Sequence, residues 1–366
     1  MKTKSLLLLL TMVSVIPVQA QWLTHTPNDT LQPVQIMANG DVVFRIYAPN
    51  AHEVSLSGDA APWGQKPKSA KGNDGVWSIT LPNVKKGVYR YNFVVDGVTV
   101  SDPLSEQVKE SAALAQVSDK NDFFAVRTNI GHGAVAERIY YSRTLKTMRR
   151  MHVWTPAGYE KSTDKLPVLY LIHGGGDNDA AWTGVGCAGA ILDNLLADGK
   201  MKPMVVVMPN GSIPSKDLGG EVPLFEKDLM TDVIPFVEQN YRVVADPAHR
   251  AISGLSMGGM ETLETLLNDP QAFDYFWILS SGWWYDAKTY PGYQQRLNKI
   301  SKSLGHVKQL VFRMGGEEDI AYKNCQAMLK LFDKAGIKYD YASAPGGHSW
   351  YTWRNNLYEL AQKLFK

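Results

Sequence analysis

The stretch Arg250-Ala-Ile-Ser-Gly-Leu-Ser-Met-Gly-Gly259 decides the fold of this chain. Inside it, Gly254-Leu255-Ser256-Met257-Gly258 is a G-x-S-x-G pattern. It is entered from apolar Ala251 and Ile252 and left through Met260 to Leu267, a run without Gly or Pro. A strand that bends sharply into a helix at such a pattern lifts the serine hydroxyl above a sheet, where a carbonyl can reach it. The flanking glycines let the backbone make the bend. A Gly-rich structural turn is the plainer reading of five such residues. The strand-like entry and helix-compatible exit favour a nucleophile elbow.

A serine hydroxyl needs a base, and the base needs an acid to orient it. In the order Ser, acid, His, the chain offers His348. It lies in Ala344-Pro345-Gly346-Gly347-His348-Ser349-Trp350, between a predicted strand at Tyr339–Ser343 and the last helix. The acid is expected after the predicted strand Gln309–Arg313, in Met314-Gly315-Gly316-Glu317-Glu318-Asp319. Three adjacent carboxylates leave a choice by chemistry alone. Asp319, last before a helix beginning near Ala321, is favoured, with Glu318 next; the others read as a solvated tip or a helix cap. An oxyanion needs donors. One is expected from the backbone N–H of Met257, the other from Gly174-Gly175-Gly176 after Leu171-Ile172-His173. Gly175 is favoured, although all three glycines remain candidates, and His173 is expected to brace the loop. A phosphate cradle at these glycines is weak, because no Lys-Ser/Thr follows.

Working outward, residues 131–366 alternate strand-like and helical segments, beginning with a predicted hairpin, Arg138–Arg143 and Arg149–Thr155. Apolar runs such as Met204-Val205-Val206-Val207-Met208 suit a sheet buried on both faces. The expectation is an α/β domain with a mostly parallel central sheet. Residues 35–118 follow a different grammar: short alternating strands such as Val76–Leu81 and Tyr89–Val95, closed by turns such as Asp96-Gly97, predict a small immunoglobulin-like β-sandwich. Residues 119–130 read as a linker and residues 21–34 as a leader. Ahead of them, Lys2 and Lys4, apolar Leu6–Ile16 and small Ala20 predict a secretory signal peptide over residues 1–20, and so an exported protein, periplasmic or extracellular, with no membrane anchor.

Lys+Arg 38 against Asp+Glu 36 leaves the chain near neutrality and gives no footprint for nucleic acid. The eight scattered histidines carry no metal-ligand spacing, so neither metal nor cofactor is expected. Cys187 and Cys325 could pair or stay free.

Two resemblances sharpen these readings. "FRIYAPNAHEVSLSGD", "GVWSITLP" and "GVYRYNFVVDGVTVSDP" resemble the early-set modules of carbohydrate-binding module family 48. Trp77 and Tyr91 read as core there, with Trp63 the better stacking candidate. "PVLYLIHGGGDNDAAWT", "RAISGLSMGGMETL" and "PGGHSWYTWRNNLYEL" resemble the esterase D-like α/β-hydrolases, and carbohydrate esterase family 1 in particular, the feruloyl and acetylxylan esterases. That resemblance implies Ser256, Asp319 and His348 as triad and ester-decorated xylan as substrate. Aromatic residues expected near the pocket are Trp182, Trp283, Trp284, Tyr285, Trp350, Tyr351 and Trp353, with Asn210 on its floor. The substrate contacts so expected are Trp182, Asn210, Trp283, Trp284 and Trp350. Rival expectations are a siderophore esterase of the enterochelin type, a glycan-binding protein without activity, and acyl transfer to a sugar.

Overall fold

The computed structural model describes residues 26–61, 67, 69–102, 105, 108–109, 112–215, 217–284 and 290–366. The expected signal peptide, Trp63 and Tyr285 lie outside these residues.

The N-terminal unit comprises β1 (Val34–Ile36), β2 (Val42–Tyr47), β3 (Val54–Gly58), β4 (Ser69–Lys71), β5 (Val76–Leu81), β6 (Gly87–Val95), β7 (Val98–Val100), β8 (Val108–Lys109) and β9 (Ala112–Val117). They form two antiparallel sheets, β1-β2-β5-β4 and β3-β6-β9-β8, with β7 paired to β6. The alternation read from the sequence puts Phe44, Ile46, Leu56, Trp77, Ile79, Tyr91 and Phe93 between the sheets. Trp77 donates from its indole nitrogen to the Ala48 carbonyl at 2.9 Å, so this tryptophan is core.

The second unit runs β10 (Ala134–Ser142), β11 (Thr147–Thr155), β12 (Val168–Ile172), α1 (Ala188–Ala197), β13 (Val205–Pro209), α2 (Leu218–Asp228), α3 (Ile234–Asn240), β14 (Arg250–Leu255), α4 (Met257–Asn268), β15 (Tyr275–Leu279), α5 (Tyr290–Ile300), β16 (Gln309–Met314), α6 (Tyr322–Lys334), β17 (Asp340–Ser343) and α7 (Trp350–Lys363). Its eight-stranded sheet has the order β10-β11-β13-β12-β14-β15-β16-β17. The β10–β11 and β11–β13 pairs are antiparallel and the rest parallel.

Helices cover both faces, which is why β12, β13 and β15 are buried at every position. Alternate residues separate into two cores. Tyr170, Ile252, Phe276 and Phe312 pack on one side of the sheet. Leu169, Leu171, Ala251, Trp277 and Val311 pack on the other, against residues of α1 and α7. The parallel register aligns Ile172 with Gly254 and Gly254 with Ile278. The carboxyl ends of β12, β14, β16 and β17 therefore open at one edge, where α/β sheets place their ligands.

The stretch expected to be a linker is packed rather than loose. Phe124 and Ala125 are buried, the Asn194 amide donates to the carbonyls of Phe123 and Ala125 at 2.9 and 2.8 Å, and Arg127 pairs with Asp198 at 2.7 Å. Between α2 and α3 the chain continues helically through a π-segment, Leu229–Val233. Both cysteines are free thiols, pushed up to about 11 at Cys187 and about 12 at Cys325 by burial. No helix among the described residues is long and apolar enough to cross a membrane.

Candidate active site

Three loops leave the sheet edge and converge. The turn from β14 to α4 places Ser256 at φ 52° and ψ −113°, a backbone state that non-glycine residues rarely occupy. The Ser256 N–H donates to the Leu279 carbonyl at 2.9 Å, and the Ser281 hydroxyl donates to the Ser256 carbonyl at 2.6 Å. Both bonds hold the strained turn to the end of β15. The Ser256 Oγ lies 3.0 Å from His348 Nε2.

His348 comes from the loop between β17 and α7. The Gly347 N–H donates to the Gly315 carbonyl at 2.6 Å, tying this loop to the one after β16. Nδ1 of His348 lies 2.8 Å from Asp319 Oδ1. Burial alone would raise the Asp319 carboxyl, but bonds from His348 and from the Ala321 N–H outweigh it and hold it below the usual carboxylate range. The three adjacent acids have three placements: Asp319 is under the imidazole, Glu318 accepts from the Gly346 N–H at 2.9 Å, and Glu317 is exposed.

Met257 begins α4, so its N–H precedes the first intrahelical acceptor. A Cβ on Gly175 would come 3.9 Å from Met257 Cβ, so the Gly175 backbone faces the elbow. His173 sits beneath this loop. The Gly211 N–H donates to its Nε2 at 2.9 Å, which leaves the proton on Nδ1 to be donated to the Gly174 carbonyl at 2.8 Å. Burial lowers its pKa, keeping the ring neutral and the tautomer fixed.

The expected substrate contacts divide. Trp350 lines the cleft that holds Ser256 and His348, together with Tyr351 and Trp353. Trp284, half-buried, points an edge at the His348 ring with centroids 6.3 Å apart. Trp182 and Trp283 are corrected, because each is only 1% exposed and cannot stack on a ligand. Trp182 donates to the Ile172 carbonyl at 3.1 Å and meets the Trp350 ring edge-on. Trp283 stacks on Tyr293 at 4.1 Å inside the core. Asn210 is corrected too: it lies beneath the glycine loop, where its Oδ1 accepts from the Ser212 N–H at 3.0 Å. Apolar burial claimed these indoles because the aromatic pattern marks packed loops as readily as open walls.

The sequence reading missed the opposite wall. The cleft, about 940 Å³, is closed on one side by the sandwich, with Ser57, Asp59, Tyr89 and Arg90 facing Gly174–Asp177. Arg90 pairs with Asp59 at 2.7 Å and also with Asp177 of the glycine loop. Its only signal in the sequence was a charge among the alternating residues of β6. Among the described residues no cluster of three or more His, Cys, Asp or Glu could hold a metal ion.

A sheet of this order, with a strained serine after its fifth strand and a histidine from the loop before its last helix, defines an α/β-hydrolase. The chain belongs to the family described as "Putative esterase", whose model matches residues 142–364. Residues 32–106 match carbohydrate-binding module 48, the isoamylase N-terminal domain. Over 93% of its length the chain is 32% identical to an endo-1,4-beta-xylanase/feruloyl esterase of Xylanibacter ruminicola, covering 47% of that protein. It thus spans about half of that relative, and 22% of an endo-1,4-beta-xylanase Y of Acetivibrio thermocellus that it also matches. A CE1 ferulic acid esterase from Anaeromyces mucronatus, solved with ferulic acid, superposes with TM-score 0.58 at 18% identity over 69% of this chain and 98% of that one. An enterobactin esterase from Shigella flexneri gives TM-score 0.64 at 18% identity over 89% of this chain and 94% of that one. At these identities the structures share the fold.

Proposed function

We propose that this protein is an exported serine esterase that hydrolyses feruloyl or acetyl substituents on plant hemicellulose such as arabinoxylan. One observation carries the reading: Ser256, His348 and Asp319 form an unbroken hydrogen-bonded chain, 3.0 and 2.8 Å, opening into a cleft walled by a carbohydrate-module-like sandwich. The xylanase/feruloyl esterase relative supports the substrate class. The basic, apolar and small-residue order of residues 1–20 supports export through a cleaved signal peptide.

In the mechanism, Ser256 Oγ attacks the ester carbonyl while His348 Nε2 takes the hydroxyl proton. Asp319 holds the ring with Nδ1 protonated and stabilises the imidazolium that forms. The N–H groups of Met257 and Gly175 receive the negative oxygen of the tetrahedral intermediate. Its collapse releases the sugar hydroxyl, which takes the proton from His348, and leaves the acyl group on Ser256. Water, deprotonated by His348, then attacks the acyl-enzyme, and the proton returns to Ser256 as the free acid leaves.

The test is turnover by wild type and Ser256→Ala on feruloylated arabinoxylan, acetylated xylan and a catecholate trilactone. We expect release of ferulate or acetate by wild type, with Ser256→Ala slower by about 10⁴-fold or more. A trilactone turned over in preference to both xylan esters would replace this reading with a siderophore esterase. Xylan binding without release from any ester would replace it with a glycan-binding protein.

A further inference from the structure

The charges along the sandwich side of the cleft do not balance locally. Lys85, Arg90 and Arg354 line it, with Asp59 and Asp177 as carboxylates. Both carboxylates are engaged by Arg90. Arg354, on α7, is 2% exposed and has no carboxylate partner among the described residues. Its Nη1 donates to the carbonyls of Val185 at 2.7 Å and Val88 at 3.3 Å, and the guanidinium lies 5.3 Å from the Phe124 ring centre. Burial lowers its pKa, the direction for a cation taken out of water without a counter-ion. A buried charge in that state gains strongly from an anion that enters beside it.

The surrounding groups suit such an anion. A Cβ on Gly87 would stand 2.8 Å from Arg354 Nη2 and 3.1 Å from the Tyr89 hydroxyl, so both groups converge on one patch of β6. The Tyr89 hydroxyl donates to the Lys85 carbonyl at 2.7 Å, which holds the Lys85 backbone at the same patch. The Lys85 side chain is exposed and has no ion-pair partner among the described residues. Arg354 lies about one helical turn beyond Trp350, and so beside the Ser256–His348 end of the cleft.

We propose that this wall is a carboxylate subsite, in which Arg354 and Lys85 receive a uronic acid substituent of the glycan whose ester Ser256 attacks, with Tyr89 holding the Lys85 backbone in place. The assignment rests on the esterase reading for its glycan and deepens it. An aromatic acid released by hydrolysis carries the same chemistry and is the other source of a carboxylate at this place. Charge-assisted bonds from a guanidinium to a carboxylate are about twice as strong as neutral ones, so the subsite discriminates an acid from its ester.

Calorimetric titration of the full-length Ser256→Ala protein tests this without turnover. The probes are a glucuronic-acid-bearing xylo-oligosaccharide, its uronate methyl ester, and ferulate. We expect the acid oligosaccharide to bind roughly tenfold more tightly than its methyl ester, with a preference that weakens as salt rises. Lys85→Glu, at an exposed position that tolerates the change in folding, abolishes that preference, and Arg354→Gln reduces it where the variant folds. Equal binding of acid and methyl ester, or a preference untouched by Lys85→Glu, overturns the subsite. Loss of ferulate affinity alone in Lys85→Glu overturns the uronate assignment in favour of the released acid. Failure of wild type to cleave any hemicellulose ester refutes the esterase reading separately.

Discussion

Ser256 adopts a conformation that costs a non-glycine residue about 1–3 kcal/mol, and it is held there by bonds from both of its backbone groups to the end of β15. The sequence made this residue legible because an elbow imposes small neighbours at fixed offsets. His348 was legible for a related reason: a Pro-Gly-Gly loop before a terminal helix has few other uses. Glu261 was not. It lies on the nucleophile helix, fully buried, with neither carboxyl oxygen meeting a donor among the described residues. Burial raises its pKa well above the ordinary carboxyl value, with Glu221 adding to the rise. A carboxyl raised on folding stabilises the protein most below its unfolded value, and that contribution is lost as pH climbs toward the folded one. Glu261→Gln removes the titration. Its stability should match wild type near pH 4 and exceed it increasingly toward pH 8, by up to about 1.4 kcal/mol per pH unit. Denaturant melts at several pH values check this, and parallel curves for the two proteins would contradict it.

Helix α4 meets strand β14 and the end of β12 with almost no space between them. A Cβ on Gly258 would fall 2.5 Å from the His173 carbonyl oxygen, and one on Gly254 only 2.1 Å from that of Gly258. Both obstacles are backbone, so neither can swing aside. Gly258→Ala should therefore cost about 3 kcal/mol in a denaturant melt, and a loss below about 0.5 kcal/mol would show the elbow to be looser than this packing requires. Elements whose pattern came from burial on two faces were readable: the apolar run expected at Met204–Met208 is β13, Val205–Pro209. Elements stabilised only by their tertiary neighbours were not. Helix α2 contains Gly219, Gly220 and Pro223, each a breaker by propensity. It forms because Asp217 caps it through the Gly220 N–H at 3.0 Å and because Val222 and Phe225 are buried.

The two units meet at the cleft, and nothing in either one's periodicity announces which faces meet. Side chains far apart in sequence make that contact: Arg90 of the sandwich reaches Asp177 of the glycine loop, while Arg354 of α7 grips the Val88 carbonyl. Asp177 follows the glycines proposed as oxyanion donors, and its carbonyl accepts from the Ser212 hydroxyl at 3.2 Å, so the loop is pinned from both sides. Arg90→Ala frees one side. It should lower kcat on methyl ferulate roughly tenfold, with a smaller change in KM and partial recovery in Arg90→Lys, because donor placement matters most in the transition state. An unchanged kcat would show that the sandwich does not steady the loop. The central claim is that Ser256 is a nucleophile activated by His348. Labelling the intact protein with a fluorophosphonate and mapping the adduct by mass spectrometry tests it most directly. The account predicts one adduct per chain, on Ser256, lost in Ser256→Ala and in His348→Ala. An adduct on another residue, or equal labelling of His348→Ala, would contradict it.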